Sequence, residues 1–381
     1  MSRIWLSLFV ALLVSACSSG TQTITSLRKA AEQGDATGQM NLGLAYANGE
    51  GVAKDEAQAV AWFRKAAEQG YAKAQTNLGV AYANGRGVAK DEAQAVAWFR
   101  KAAEQGEMKG QNNLGAMYET GRGVPKDVAQ ALAWYRKAAE QGNASAENSL
   151  GRMYADGRDV PLDEAQAVAW FRRAAEQRNA EGQYDLGVMY AQGHGVAQDN
   201  AQALAWFRKA SAQENAYAEA YLGTMHEEGN GVTKDDVEAL TWYRKSAEHG
   251  NAGALTAVGH MYAGGHGVPK DETKAVELYR RAADLGVARG QFNLAWMYEN
   301  GRGVPKDEAL AVSWYRKAAE QGYADAQTNL GEMYEGGRGV SKDVTQAIAW
   351  FRKAAEQGEA EAKENLTRLK NGSDPAHASA N

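Results

Sequence analysis

Six histidines, one cysteine and a Gly-x-Gly sequence that recurs along the chain are the groups best suited to chemistry. A Gly-x-Gly loop cradles phosphate when a strand precedes it, and in the P-loop it ends in Gly-Lys-Ser/Thr. Neither context surrounds Gly85-Arg86-Gly87 or its copies, so these glycines read as turn residues. A zinc site needs three or four ligands. His194 and His266 stand in a loop position held elsewhere by Arg86, Arg122, Arg302 and Arg338. His226 and His260 fall on adjacent units and could approach each other, while His249 and His377 join no matching carboxylate cluster. No metal or cofactor is expected. Nucleophilic catalysis needs a serine or cysteine beside a base and an orienting group. Cys17 lies before the region that folds, and no serine holds a distinctive place. An active site also needs a unique constellation, whereas this chain nearly copies itself, so an enzyme is not expected.

The copies fix the architecture that must position any functional residue. Gly43, Gly79, Gly115, Gly151, Gly187, Gly223, Gly259 and Gly331 keep a 36-residue step, with Ala295 in the one vacant slot. Tyrosines follow in step from Tyr46 to Tyr334, with His226 substituting once. Tryptophans run from Trp62 to Trp350, with Leu278 substituting once. Length alone suggests several domains, but a repeat array grows by stacking and needs no new core.

One unit reads as two helices. In 72–106, Ala74, Leu78 and Tyr82 share a face at i, i+4, i+8. The first helix stops at Asn84-Gly85, where glycine can take the left-handed C′ position. Asp91 then caps a second helix, with Gln94 placed to close a capping box. An aspartate recurs there in all nine units, from Asp55 to Asp343. Ala95, Trp98, Phe99, Ala102 and Ala103 form the apolar stripe of that helix. Glycine inside the first helix costs up to about 1 kcal/mol against alanine. The repeated cost implies close approach of a neighbouring helix, with the Trp or Phe of the second helix packed across the gap. The expected fold is all-α: an α-solenoid of nine 36-residue helix pairs. A lone second helix at Ser26–Gly34 and a lone first helix at Asn365–Leu369 cap it.

Composition agrees. Apolar residues are 44%, charged residues 23%, and prolines only five, so the chain can fold and favours helix. The net charge is −5, with both signs interspersed. Without a basic stripe, nucleic acid is not an expected partner. A small-molecule substrate is not expected either.

Two ladders are candidates for binding. Methionines recur two residues after the glycine slot, at Met117, Met153, Met189, Met225, Met261, Met297 and Met333. They are either an adaptable binding stripe or, as favoured here, gap filling between stacked helices. The residue before the motif leucine is Asn41, Asn77, Asn113, Asn293 and Asn329, giving way to Ser149, Asp185, Tyr221 and Ala257 in the middle units. Spaced about 10 Å apart, as packed helices are, these side chains would line a concave groove. There an amide can both donate to and accept from an extended peptide backbone. Local bonding to a neighbouring helix or loop is the equal alternative.

The N-terminus is distinct. Arg3 precedes an apolar run, Ile4–Val14, too short for the about 20 residues a bilayer requires, and the run reads as a secretory signal. Val14-Ser15-Ala16-Cys17 resembles the bacterial lipobox, in which the cysteine is lipidated and becomes the new N-terminus. Ser18 follows rather than an aspartate, which by resemblance to the enterobacterial sorting rule points to the outer membrane. The expected division is 1–16 signal peptide, 17–25 lipidated N-terminus and linker, 26–370 solenoid and 371–381 disordered tail.

The pattern Leu-Gly-x-x-Tyr, Gly-x-Gly-Val-x-x-Asp and Trp-[Phe/Tyr]-x-Lys-Ala-Ala resembles the Sel-1-like repeat, a relative of the tetratricopeptide repeat. The resemblance covers 26–370. It implies a right-handed α-solenoid that acts as a non-enzymatic scaffold for proteins; joined to the lipobox, the expectation is protein binding along the groove from a lipid anchor in the bacterial envelope, facing the periplasm. A surface-exposed protein that binds a host immunoglobulin or receptor is the alternative, and an envelope hydrolase of β-lactamase type is a remoter one.

Overall fold

A computed structural model describes residues 24–372. The expected signal peptide, Cys17 and the tail from residue 373 onward lie outside the described residues, as does His377. Every element among the described residues is an α-helix. The chain divides between Ala197 and Gln198 into two compact units.

The first unit opens with a lone helix at 24–32. First helices follow at Ala36–Asn48, Ala72–Asn84, Met108–Thr120, Ala144–Asp156 and Ala180–Gln192. They alternate with second helices at Glu56–Glu68, Glu92–Glu104, Val128–Glu140 and Glu164–Glu176. The second unit opens with the second helix Asn200–Ser211. Its first helices are Ala216–Glu228, Ala252–Gly264, Ala288–Asn300, Ala324–Gly336 and the closing Ala360–Gly372. Its other second helices are Asp236–Glu248, Glu272–Asp284, Glu308–Glu320 and Val344–Glu356. Each unit is thus a solenoid of stacked helix pairs, as the 36-residue period implies. The terminal helices reach 24 and Gly372, two residues beyond each expected limit of the solenoid.

Local chemistry sets the boundaries. Asp91 accepts from the backbone N–H of Gln94 at 3.0 Å, taking up one of the unpaired donors at the helix start. The expected capping box does not close: the N-cap N–H donates to the tyrosine carbonyl of the first helix, and at Gln166 the side-chain amide donates to the Asp163 carboxylate at 2.9 Å. The Asp91 N–H donates to the Tyr82 carbonyl at 2.9 Å, which closes the loop between the paired helices.

The glycine inside the first helix is explained, with a correction. A β-carbon at Gly79 would lie 2.6 Å from the Phe99 ring, and one at Gly115 2.8 Å from that of Tyr135. The ring that needs the space is the Phe or Tyr after the tryptophan, never the tryptophan. Trp98 stays half-exposed under Lys101, whose Nζ is 4.1 Å from the ring centre. Gly87, at φ +66°, rests on the preceding second helix so tightly that a β-carbon would fall 2.0 Å from the Glu56 carbonyl oxygen.

Polar ladders join one repeat to the next. Arg64 donates to the Tyr82 hydroxyl at 2.8 Å, and Arg100 to Tyr118 at 2.9 Å. Beneath them, buried Gln75 donates to the Ala67 carbonyl at 3.1 Å and accepts from Gln105 at 2.7 Å. Two positions of this buried ladder carry a carboxylate. Glu147 meets Arg173 at 2.9 Å and Gln177 at 2.6 Å. Glu219 meets Lys245 at 3.1 Å and His249 at 2.8 Å.

Candidate functional site

Successive first helices pack directly on one another. In the first unit Ala72–Asn84 meets Met108–Thr120, and Ala144–Asp156 meets Ala180–Gln192. In the second, Ala252–Gly264 meets Ala288–Asn300. No two second helices among the described residues pack as closely. Repeats tilted so that one edge is tighter curve toward that edge, so within each unit the first helices line the inner face.

The residues before the motif leucine lie on that face with unequal freedom. Asn41 is exposed, and Asn113 is half-buried. Asn77 is half-buried, its Nδ2 3.3 Å from Met40 Sδ, and it lines a cleft of about 200 Å³ with Leu44, Val80 and Arg86. Asn293 lines a second cleft of about 300 Å³ with His260, Trp296 and Arg302. The other three candidates are held locally. Asp185 pairs with Arg152 at 2.7 Å; burial pushes its carboxyl up, while Arg152 pulls it down. Tyr221 stacks on Phe207 at 5.0 Å. Asn329 donates to the Tyr315 hydroxyl at 3.0 Å. Groove lining and local bonding are therefore divided among positions rather than shared by all.

The methionine ladder is gap filling: Met117, Met261, Met297 and Met333 are buried. The histidines do not converge. His260 stacks on His266 at 6.0 Å, and His249 bonds to Glu219. Among the described residues no three His, Cys, Asp or Glu side chains are grouped to hold a metal. No helix among them is long and apolar enough to cross a membrane.

Two features of the face escaped the sequence reading. Three residues after the asparagine slot, one position changes character from unit to unit: Val80, Arg152, His260, Trp296 and Glu332. It lies beside that slot on the same helical face, and its variability within a near-identical repeat was the available signal. The second is a coupling between helices. Tyr135 donates to Glu119 at 2.6 Å, Tyr243 to Glu227 at 2.6 Å and Tyr315 to Glu299 at 2.7 Å. Comparing units at positions sixteen residues apart would have exposed it. Burial and the adjacent carboxylate together hold the Tyr135 and Tyr243 hydroxyls well above the ordinary tyrosine value.

The Sel1 repeat model matches 27–35 and then 36–71, 72–107, 109–143, 144–179, 180–215, 216–251, 252–287, 288–323 and 324–359. No curated protein matches the chain. Among solved structures, a protective antigen present in uropathogenic Escherichia coli strains, displaying an SLR fold, is 41% identical. The match covers 93% of this chain and 84% of that one, with a TM-score of 0.55. A Sel1 repeat protein from Oxalobacter formigenes is 33% identical over 64% of this chain and 96% of that one, with a TM-score of 0.58. With consecutive repeats matched from residue 27 to 359, the chain belongs to the Sel1 repeat family.

Proposed function

We propose that this chain is a non-enzymatic scaffold of the bacterial cell envelope that binds an extended segment of a partner protein along its first-helix face. Lipid on Cys17 tethers it, and the repeat array faces the periplasm from the outer membrane. The observation that carries the reading is the position of variability. The position three residues after the asparagine slot changes from unit to unit, and Val80, His260 and Trp296 at that position line clefts. A surface that must hold a particular partner needs such differences; a surface that only stacks does not.

The test is capture of envelope proteins by the intact lipoprotein and by an Asn77→Ala, Asn113→Ala double variant. The double variant should lose partner capture with its Tm unchanged. A large fall in Tm would assign those amides to the fold instead.

Likeness to a protective antigen supports a second reading, in which the same face is displayed on the cell surface and binds a host protein. Protease treatment of intact cells distinguishes the two, since only a surface-exposed repeat array would be removed.

A further inference from the structure

The chemistry of one subsite on this face can be specified, resting on the reading of the first helices as a protein-binding groove. Four of the rings lying over the glycine slot or its Ala295 counterpart are tyrosines: Tyr135, Tyr243, Tyr279 and Tyr315. Three donate to an internal glutamate, Glu119, Glu227 and Glu299 respectively. Where the ring is Phe63, Phe99 or Phe171, the acceptor position holds Ala47, Ala83 or Ala155. Glu335 faces Phe351 instead and bonds to Arg368 at 2.5 Å. Hydroxyl and carboxylate go together because a buried phenol without an acceptor is costly.

Tyr279 breaks the rule: the acceptor position holds Ala263. Tyr279 is only 3% exposed, and with no internal glutamate at that position its side chain lines an open cleft instead. Burial pushes that hydroxyl up to about 12, with Arg289 and Arg302 pulling the other way. A cleft of about 300 Å³ opens there, lined by His260, Ala263, Tyr279, Asn293, Trp296 and Arg302. The Arg302 guanidinium covers the Trp296 ring at 4.9 Å. Arg302 also bonds to Glu272, but that carboxylate is shared with Lys270 at 2.9 Å. Among the residues that line the cleft, Arg302 carries the one permanent charge. Asn293 stands where Asn329 donates to Tyr315 in the next unit.

We propose that this cleft receives a glutamate side chain from an extended partner segment, its carboxylate accepting from Tyr279 Oη as Glu119, Glu227 and Glu299 accept elsewhere. Arg302 and Arg289 favour the incoming charge, Trp296 packs on the methylenes, and the Asn293 amide is placed to donate to the same carboxylate.

The test uses the full chain labelled with ¹³Cζ-tyrosine and the blocked peptide acetyl-Gly-Ser-Gly-Glu-Gly-Ser-Gly-amide, beside its Glu→Gln twin. The Tyr279 resonance, assigned by its loss in Tyr279→Phe, should shift saturably with the glutamate peptide. The glutamine twin should bind at least about tenfold more weakly, the usual worth of a charge-assisted bond. Ala263→Glu should fill the cleft from within: it should move the same resonance without peptide, raise Tm and weaken the peptide at least about tenfold. Equal binding of the twin peptides, or an unshifted Tyr279 resonance in both titrations, would overturn the proposal. So would N-acetylglycine matching the glutamate peptide, since the site would then favour a terminal carboxylate. Should Ala263→Glu misfold, Tyr279→Phe decides by its loss of glutamate-peptide binding, because other repeats already fold with phenylalanine there, at Phe63, Phe99 and Phe171. Peptide binding with no partner captured by the groove would remove the groove reading and leave this subsite standing; the reverse would remove only the subsite.

Discussion

The Phe99 ring lies against Gly79 so closely that an added β-carbon would sit 2.6 Å from two ring carbons. Phe99 is itself buried, so the ring has nowhere to retreat. Gly79→Ala gains helix propensity, about 1 kcal/mol, yet should still lose about 1–3 kcal/mol net through overpacking. The check is urea unfolding, with a lower midpoint and an unchanged slope. An unchanged midpoint would show that the contact adjusts at little cost, in keeping with the alanine that fills the same slot at Ala295.

Glu147 interrupts a buried ladder that carries Gln39, Gln75 and Gln111 in the preceding units. Burial holds its carboxyl above the ordinary 4.5, against the opposing pull of Arg173. A group with a raised folded pKa binds its proton more tightly when folded. Its contribution is therefore present at low pH and lost as pH rises from 4.5 through the folded value. Glu147→Gln keeps the bond from Gln177 and removes the buried charge. The variant should melt higher than the native chain at neutral pH, with the advantage fading as pH falls through the folded value toward 4.5. A lower Tm at neutral pH would mean that the Arg173 pair outweighs the desolvation.

The architecture was legible because each repeat restates it. The aspartate caps, the glycine slot and the buried alanines each rest on short-range chemistry that recurs in place. The ring over Gly79 was legible only in part, since Trp98 and Phe99 are adjacent and both fit an apolar stripe. Their difference is set by the pitch between helices, which periodicity does not specify. The asparagine ladder read as uniform but is not. Asn329 finds Tyr315, whereas Asn77 shares its cleft with Phe63, which has no hydroxyl to offer. The buried glutamates were hidden for a similar reason: Glu147 and Glu219 sit at positions that look polar and solvated until the next second helix covers them.

The membrane tether is checked chemically. Cys17→Ala should abolish palmitate labelling and release the protein from the membrane fraction, while the melting of the repeat array stays unchanged. Persistent labelling or membrane association would remove the tether from the account.

Photo-crosslinking in living cells addresses the central claim directly. p-Benzoylphenylalanine placed at Val80 and Val188 probes the first-helix face, and the same group at Lys101 and Glu140 probes the exposed side of second helices. The account predicts discrete adducts with a second protein from Val80 and Val188 and none from Lys101 or Glu140. Adducts confined to the second-helix positions, or absent from all four, would contradict it.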